Sequence, residues 1–303
     1  MTVPATASPL VRHPVLIAPG EPTLEVAGVV QSSAVDGPGN RYVLFLQGCN
    51  FDCAACHNPT TIGRCDGCGT CVEVCPHQAL SFTTADEVAY DAASCDHCRV
   101  CVTVCPIDAD PTIRLVAVGQ IVDEIRPLAP FLSGITVTGG EPTLQLAPLI
   151  GLLAAVKADE ELGNLTTLVD TNGTLSRRGW GQLLPVLDGA MVDLKAMDGS
   201  LHQYLTGSGN GPVKESIHLL AERGKLAEVR LLVIEGVTDT DDELTAWARF
   251  VRGVDPHMPV RLMAFRHDGT RAAARQWPET SVEAMDRVRD RLTGFGLSAV
   301  GAG

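Results

Sequence analysis

The chain has no cysteine before Cys49 and none after Cys105, although it contains eleven in 303 residues. A disulfide framework would require export and would leave one of the eleven unpaired, so the clustering favours thiolate ligands. Long apolar runs are also lacking: none approaches the roughly 18 residues of a membrane span, and Pro14 to Ala18 is too short and too poorly flanked for a signal peptide. A cytoplasmic protein with no membrane partner is expected. Basic residues are scarce, 23 Lys and Arg against 36 Asp and Glu, giving a formal charge of −13. That balance argues against nucleic acid, whose phosphates call for basic surface; an acidic surface serves solubility. The 45% hydrophobic content is enough for a large core, in one barrel-sized domain or two smaller ones.

What the chain does have is concentrated first in Gln47-Gly48-Cys49-Asn50-Phe51-Asp52-Cys53-Ala54-Ala55-Cys56-His57-Asn58-Pro59. Cysteines spaced C-x3-C-x2-C supply three thiolates within one short loop. A [4Fe-4S] cubane has four irons to ligate, so three thiolates leave one open to an exchangeable partner. A tetrahedral zinc ion would take a fourth protein ligand, for which His57 is in reach. Spacing alone identifies metal binding and leaves the metal open. The loop follows Arg41 to Leu46, a run of strand length preceded by the turn-rich Asp36-Gly37-Pro38-Gly39-Asn40.

Beyond residue 111 amphipathic helices alternate with apolar strands. Helices are expected over 116–128, 145–157, 178–187, 212–223, 241–252 and 281–292, and strands over 134–138, 166–169, 190–194, 228–233 and 260–265. This alternation implies α/β architecture with a parallel sheet, either doubly wound or a barrel. Ligand-like residues follow strand after strand: Cys49 to Cys56, Thr138 to Pro142, Asp170 to Gly173, Asp193 to Lys195 and Arg266-His267. Convergence at one mouth favours a partial (β/α)6 TIM-like barrel. The expected domains are an N-terminal arm (1–22), a barrel (23–59 and 112–303) and a ferredoxin-like insert (60–111).

Within the insert, Cys65-x2-Cys68-x2-Cys71-x3-Cys75-Pro76 is repeated as Cys95-x2-Cys98-x2-Cys101-x3-Cys105-Pro106. This is the bacterial ferredoxin run written twice, in which the fourth cysteine of each run serves the other run's cluster. The ligand sets expected are Cys65, Cys68, Cys71 and Cys105 for one [4Fe-4S], and Cys95, Cys98, Cys101 and Cys75 for the other. Zinc knuckles are the competing reading.

Several residues have plainer explanations. Gly139-Gly140 on its own is most simply a tight turn, and a lone Asp193-x-Lys195 a surface pair. Trp180, Trp247 and Trp277 read as packing residues, and His202 and His218 as exposed or core-satisfied helix residues. Thr240 to Glu243 reads as a capping box in which Glu243 reaches back to the N-cap.

Taken together, C-x3-C-x2-C after the first strand and Gly139-Gly140-Glu141-Pro142 after the next barrel strand resemble the radical S-adenosylmethionine (SAM) superfamily. Val35 to Arg41, Gln47-Gly48-Cys49, Cys56-His57-Asn58, Asp170-Thr171-Asn172-Gly173 and Asp193-Leu194-Lys195 are similar to words of the glycyl-radical-enzyme activases. Ser133 to Val137 and Leu184 to Asp193 look closest to the YjjW branch. The resemblance spans residues 28 to 270. It implies that the cluster on Cys49, Cys53 and Cys56 binds SAM and cleaves it reductively to methionine and a 5′-deoxyadenosyl radical, which takes a Cα hydrogen from a glycine of a partner enzyme. It further implies that Gly139, Gly140 and Glu141 hold the methionine amino group, with Asp193 and Lys195 near its carboxylate. Asp170, Thr171, Asp193 and the main chain at Met191 match a monovalent cation site, and Arg230 an arginine lining the mouth. Two positions depart from the pattern: Ala55 stands where an aromatic residue often lies by the adenine, so that stacking passes to His57 or is absent, and Arg266 stands in place of a SAM-contacting histidine and is assigned the carboxylate contact. Two further clusters imply an electron route from a flavodoxin or ferredoxin, with a structural role as the alternative. The competing functions are a sulfatase-maturase-like or small-molecule radical SAM oxidoreductase, and an electron-transfer ferredoxin fused to an inert barrel.

Overall fold

The computed structural model describes residues 20–84, 87–297 and the backbone of 299–302. Residues 1–19 of the expected N-terminal arm lie outside that range. Among the described residues the chain forms two compact units, those within 1–50 and 58–166, and those within 51–57 and 167–303. The division therefore runs through the cysteine loop, and residues 60–111 group with the strands around them.

The first unit holds β1 (Thr23–Ser33), β2 (Arg41–Leu46), β3 (Leu80–Phe82), β4 (Val88–Tyr90), α1 (Val100–Thr103), β5 (Arg114–Ala117), α2 (Val118–Ile125), β6 (Gly134–Gly139) and α3 (Leu146–Ala158). Its sheet runs β6-β2-β1-β5. β2 lies parallel to β6 and antiparallel to β1, which also pairs antiparallel with β5. All six residues of β2 are buried, as expected of a strand with neighbours on both edges and packing on both faces.

The helix expected from Val116 starts two residues later. Val116 and Ala117 pair with Leu24 and Thr23 on β1, and Gln120 Oε1 accepts from Ala117 N at 3.2 Å to start α2. At the other end Pro127 and Pro130 lack the N–H that α-helical bonding needs, so residues 126–131 tighten into a 3-10 helix.

Arg41 is fully buried in this unit. Its Nε donates to Thr136 Oγ1 at 2.6 Å, its Nη1 to Thr166 Oγ1 at 2.9 Å and its Nη2 to the carbonyls of Ile135 and Thr166 at 2.5 and 3.0 Å. Thr136 Oγ1 passes the chain of bonds on to Asp36 O at 2.6 Å. A buried guanidinium is tolerable only when its donors are met in this way.

The second unit holds all but the first residue of β7 (Thr166–Thr171), with α4 (Arg177–Leu183), β8 (Gly189–Asp193), α5 (Gly199–Thr206), α6 (Gly211–Glu222), β9 (Leu226–Val233), α7 (Asp241–Val254), β10 (Pro259–Ala264), α8 (Val282–Gly294) and β11 (Ala299–Ala302). Its strands run β11-β10-β9-β8-β7, all parallel. The helix expected over 178–187 ends as an α-helix at Leu183, two residues before Pro185. α5 was not expected, although Asp198 caps its start by accepting from Leu201 N at 2.7 Å and Gly207 closes it at φ 75°.

Trp180 and Trp247 are fully buried and donate to Ser216 Oγ and Leu194 O at 2.8 and 3.2 Å. Trp277 packs with Ala55, Phe265 and Leu205. His202 is fully buried, with Nδ1 2.7 Å from Ser208 O, while His218 is exposed. Thr240 Oγ1 caps α7 through Glu243 N at 3.4 Å, but Glu243 does not reach back to it. Its buried carboxylate instead accepts from the amides of Met197 and, at 3.1 Å, Asp198. Those two amides have no ladder partner after β8 ends, and a buried carboxylate is a stronger acceptor for them than water.

Candidate metal and cofactor sites

In the first unit the start of the cysteine loop is held through its backbone. Gly48 N donates to Thr61 O at 2.8 Å and Cys49 N to Ile62 O at 3.1 Å. Beneath them Gln145 Nε2 donates to Gln47 O at 2.9 Å, and Gln47 Nε2 to Thr60 O at 2.9 Å. The Gly139-Gly140-Glu141 turn is locked onto the same stretch, with Gly140 N to Leu46 O at 2.9 Å and Glu141 N to Gly48 O at 2.8 Å. A Cβ at Gly140 would lie 2.2 Å from Gly48 O, and one at Gly139, where φ is +117°, 2.2 Å from Leu46 N. Close backbone approach therefore explains both glycines. The Glu141 carboxylate is buried and accepts from Thr143 N and Thr143 Oγ1 at 3.0 and 2.5 Å.

In the second unit residues 51–57 are tied to the end of α5. Asp52 N donates to Thr206 O at 3.0 Å and Ala54 N to Leu205 O at 2.9 Å, while Phe51 packs edge-on against His202. Ala55 is buried in the apolar group that includes Ala196, Phe265 and Trp277. His57 stacks on Phe265 with ring centroids 6.0 Å apart, and its Nε2 lies 3.0 Å from Arg266 O. Burial holds this imidazole below its ordinary pKa.

Lys195 Nζ is 2.7 Å from Asp193 Oδ2. Burial works against this ammonium, but Asp193 and the thiols of Cys53 and Cys56 outweigh it and keep its pKa above the ordinary value. The other Asp193 oxygen, Oδ1, is buried without a hydrogen-bond partner. Arg230 is buried, with Nη1 2.8 Å from Asp170 Oδ2, Nε 2.6 Å from Glu228 Oε1 and Nη2 2.9 Å from Met191 Sδ. Burial again opposes its charge, and Asp170, Glu228 and Asp193 overcome it. Thr171 Oγ1 accepts from Gly173 N at 3.0 Å, and Met191 sits in the ladder between β7 and β9. Arg266 is exposed and donates from Nη1 to Thr280 O at 2.6 Å.

The insert gathers its cysteines across the two runs. Burial raises the Cys71 thiol pKa, as do Cys65, Cys105 and Cys68 around it. A separate cavity is lined by Cys75, Cys95, Cys98 and Cys101 together with Tyr90 and Arg99. Ala79 N and Ala109 N donate to the sulfurs of Cys75 and Cys105, each at 3.3 Å.

Comparison with known proteins agrees with these features. Residues 64–109 match the 4Fe-4S dicluster domain family. The isethionate sulfite-lyase activating enzyme of Desulfovibrio desulfuricans is 29% identical over 91% of this chain and 95% of its own length. The trans-4-hydroxy-L-proline dehydratase activating enzyme of Clostridioides difficile is 30% identical over 72% of this chain and 76% of its own. The chain belongs to the glycyl-radical-enzyme activating enzymes of the radical SAM superfamily. The crystal structure of Streptococcus suis SuiB bound to precursor peptide SuiA shares the fold of this activating enzyme, with a TM-score of 0.54 and 12% identity over 85% of this chain and 47% of that one.

Iron-sulfur clusters of the [4Fe-4S] type and SAM are the cofactors of such an activating enzyme, and the residues present suit them. The cysteines of residues 60–111 are thiolate donors at ferredoxin spacing, the charges of Cys53 and Cys56 in the C-x3-C-x2-C loop favour the Lys195 ammonium, and Asp193 Oδ1 is an acceptor without a donor. Sequence reasoning gave no role to Gln47 and Gln145. Their signal is a glutamine directly after an apolar strand and another at the start of a helix, where an amide has both donors and an acceptor for main chain. Among the described residues no helix is long and apolar enough to cross a membrane.

Proposed function

We propose that this activating enzyme holds one [4Fe-4S] cluster on Cys49, Cys53 and Cys56 with SAM on the open iron, and two further clusters on the insert, residues 60–111, which we treat as a domain within a barrel of 23–59 and 112–303. The cluster and SAM would supply a 5′-deoxyadenosyl radical, with methionine as the other product, and this radical takes the Cα hydrogen of a glycine in a glycyl radical enzyme. The observation that carries the reading is the grouping of Lys195 with Cys53 and Cys56, beside an Asp193 oxygen that has no partner. Lys195 would balance the methionine carboxylate and the thiolates, and Asp193 Oδ1 would accept from a bound group or ligate a monovalent cation.

The Glu141 carboxylate is turned to Thr143, so we assign the methionine ammonium to the carbonyls of the Gly139-Gly140-Glu141 turn. Asp170 is paired with Arg230; it would support a cation through Thr171 and the main chain at Met191, while Arg230 fixes that wall of the site. His57, stacked on Phe265, and Ala55 would border the adenine, with Arg266 at the rim. Cys65, Cys68, Cys71 and Cys105 would hold one insert cluster, and Cys75, Cys95, Cys98 and Cys101 the other, relaying electrons from a flavodoxin or ferredoxin. We assign the chain to the cytoplasm and to the YjjW branch, with no nucleic-acid or membrane partner.

The test is anaerobic incubation with SAM, a reductant and a glycyl-radical-type protein encoded beside this chain. A glycine-centred doublet in the electron paramagnetic resonance spectrum is the expected result. Methionine and 5′-deoxyadenosine without a protein radical, across such proteins, would favour a small-molecule substrate instead.

A further inference from the structure

The two cysteine runs of the insert are near copies, yet the hairpin beside them treats them differently. In that hairpin Leu80 faces Tyr90, and Phe82 faces Val88. The Phe82 ring covers Gly69, between Cys68 and Cys71, so closely that a Cβ there would lie 2.0 Å from its Cζ. Tyr90, at the end of the other strand, lines the cavity formed by Cys75, Cys95, Cys98 and Cys101. Its hydroxyl is buried and is turned to the sulfur of Cys95, one of those four. The guanidinium of Arg114 lies over its ring, 5.1 Å from the centroid. One hairpin thus gives each run an aromatic ring, and only one of the rings carries a donor.

We propose that Tyr90 donates its hydroxyl hydrogen to a sulfur of the cluster held by Cys75, Cys95, Cys98 and Cys101, and so sets that cluster at a higher reduction potential than the one held by Cys65, Cys68, Cys71 and Cys105. A buried hydroxyl calls for an acceptor, and cysteinyl or inorganic sulfur of a cluster is one. Gaining an electron makes the cluster more negative, so a donor to its sulfur stabilises the reduced form. The cation over the ring withdraws electron density from the phenol and strengthens the donor. Phe82 offers the other cluster no such bond. Tyr90 is a positioning residue for charge and does not take part in the radical step.

The inference rests on the dicluster reading of the insert, and one preparation tests the two separately. Iron and sulfide are counted on the anaerobic full-length protein and on Tyr90→Phe, and both are then titrated against potential by electron paramagnetic resonance. Iron short of three cubanes in the unsubstituted protein overturns the dicluster reading and the inference with it. With full iron in both, the variant is expected to lower the midpoint of one insert cluster, by several-fold in its one-electron equilibrium, and to leave the other unchanged. Unchanged midpoints for both clusters overturn the proposal alone. Should Tyr90→Phe lose iron, 3-fluorotyrosine at this position keeps the ring and is a stronger donor. It is expected to raise the same midpoint, and no movement overturns the proposal.

Discussion

The chain gathers cysteines in two places and holds them by different means. Around Cys49 the loop is held by main-chain bonds to Thr61 and Ile62 and to the turn after β6, and by two buried amide side chains, Gln47 and Gln145, and residues 51–57 are tied to a helix end and an apolar cluster. In residues 60–111 the strands are three residues long and the helix four. Cys71, Ala79, Leu80 and Ala109 are the buried apolar side chains there, among the described residues. Burial on that scale cannot offset the entropy of ordering some fifty residues, which is of order 1–2 kcal/mol each for the backbone alone. Each half of the loop is thus held by the unit it belongs to, whereas residues 60–111 have little core of their own, and under the proposed dicluster reading their order would come from the iron their thiolates bind.

The largest effect expected from this contrast follows iron removal. In Cys98→Ala/Cys101→Ala, or after chelation, cleavage within 60–111 by a protease should accelerate on the order of a thousandfold, while fragments from residues 167–297 persist. Equal resistance of both regions, read by mass spectrometry of the fragments, would break the comparison.

Next in size is Gly140→Ala. Its methyl group would meet Gly48 O, and forcing the turn apart should cost about 2 kcal/mol. Iron should then be lost from the Cys49 loop with the insert's iron retained, as Mössbauer spectra and a denaturation midpoint would show. Loss of iron from the insert first would reverse the contrast.

The smallest effect concerns the support beneath Phe51. Burial lowers the pKa of His202 below 6.5, so the folded chain binds fewer protons there than the unfolded one. Its contribution to stability is therefore complete above the unfolded value of about 6.5 and is lost as pH falls towards the folded value. Acidification from about pH 7.5 to 5.5 should cost up to about 1 kcal/mol through this group, and His202→Gln should flatten that part of the Tm profile. An identical slope in the variant would show that the ring is not buried neutral.

Much of this was legible in the sequence because it rests on local chemistry. Cysteine spacing identifies the insert with no knowledge of packing, and the parallel strands of the second unit show as apolar runs between amphipathic helices. What was missed depends on contacts across long stretches. Val116 and Ala117 continue a helical pattern, and only their pairing with β1 makes them strand. Glu243 matches a capping box locally, but the amides of Met197 and Asp198 claim it from more than forty residues away. The hydroxyl of Tyr90 carries no signal until the hairpin places it beside a cysteine cavity. α5 is the exception, since its caps, Asp198 and Gly207, are local signals that the sequence carries in full.

Arg41 has a bearing on how the protein is made. Two of its guanidinium nitrogens end on Thr166, 125 residues downstream, so β2 cannot settle beside β6 with its donors met until that residue has left the ribosome. At about 5–20 residues per second the interval is roughly 6 to 25 s. By its end every cysteine of the chain has been synthesised, the last of them, Cys105, well before Thr166. The first unit is therefore completed only after its thiols have had time to meet iron.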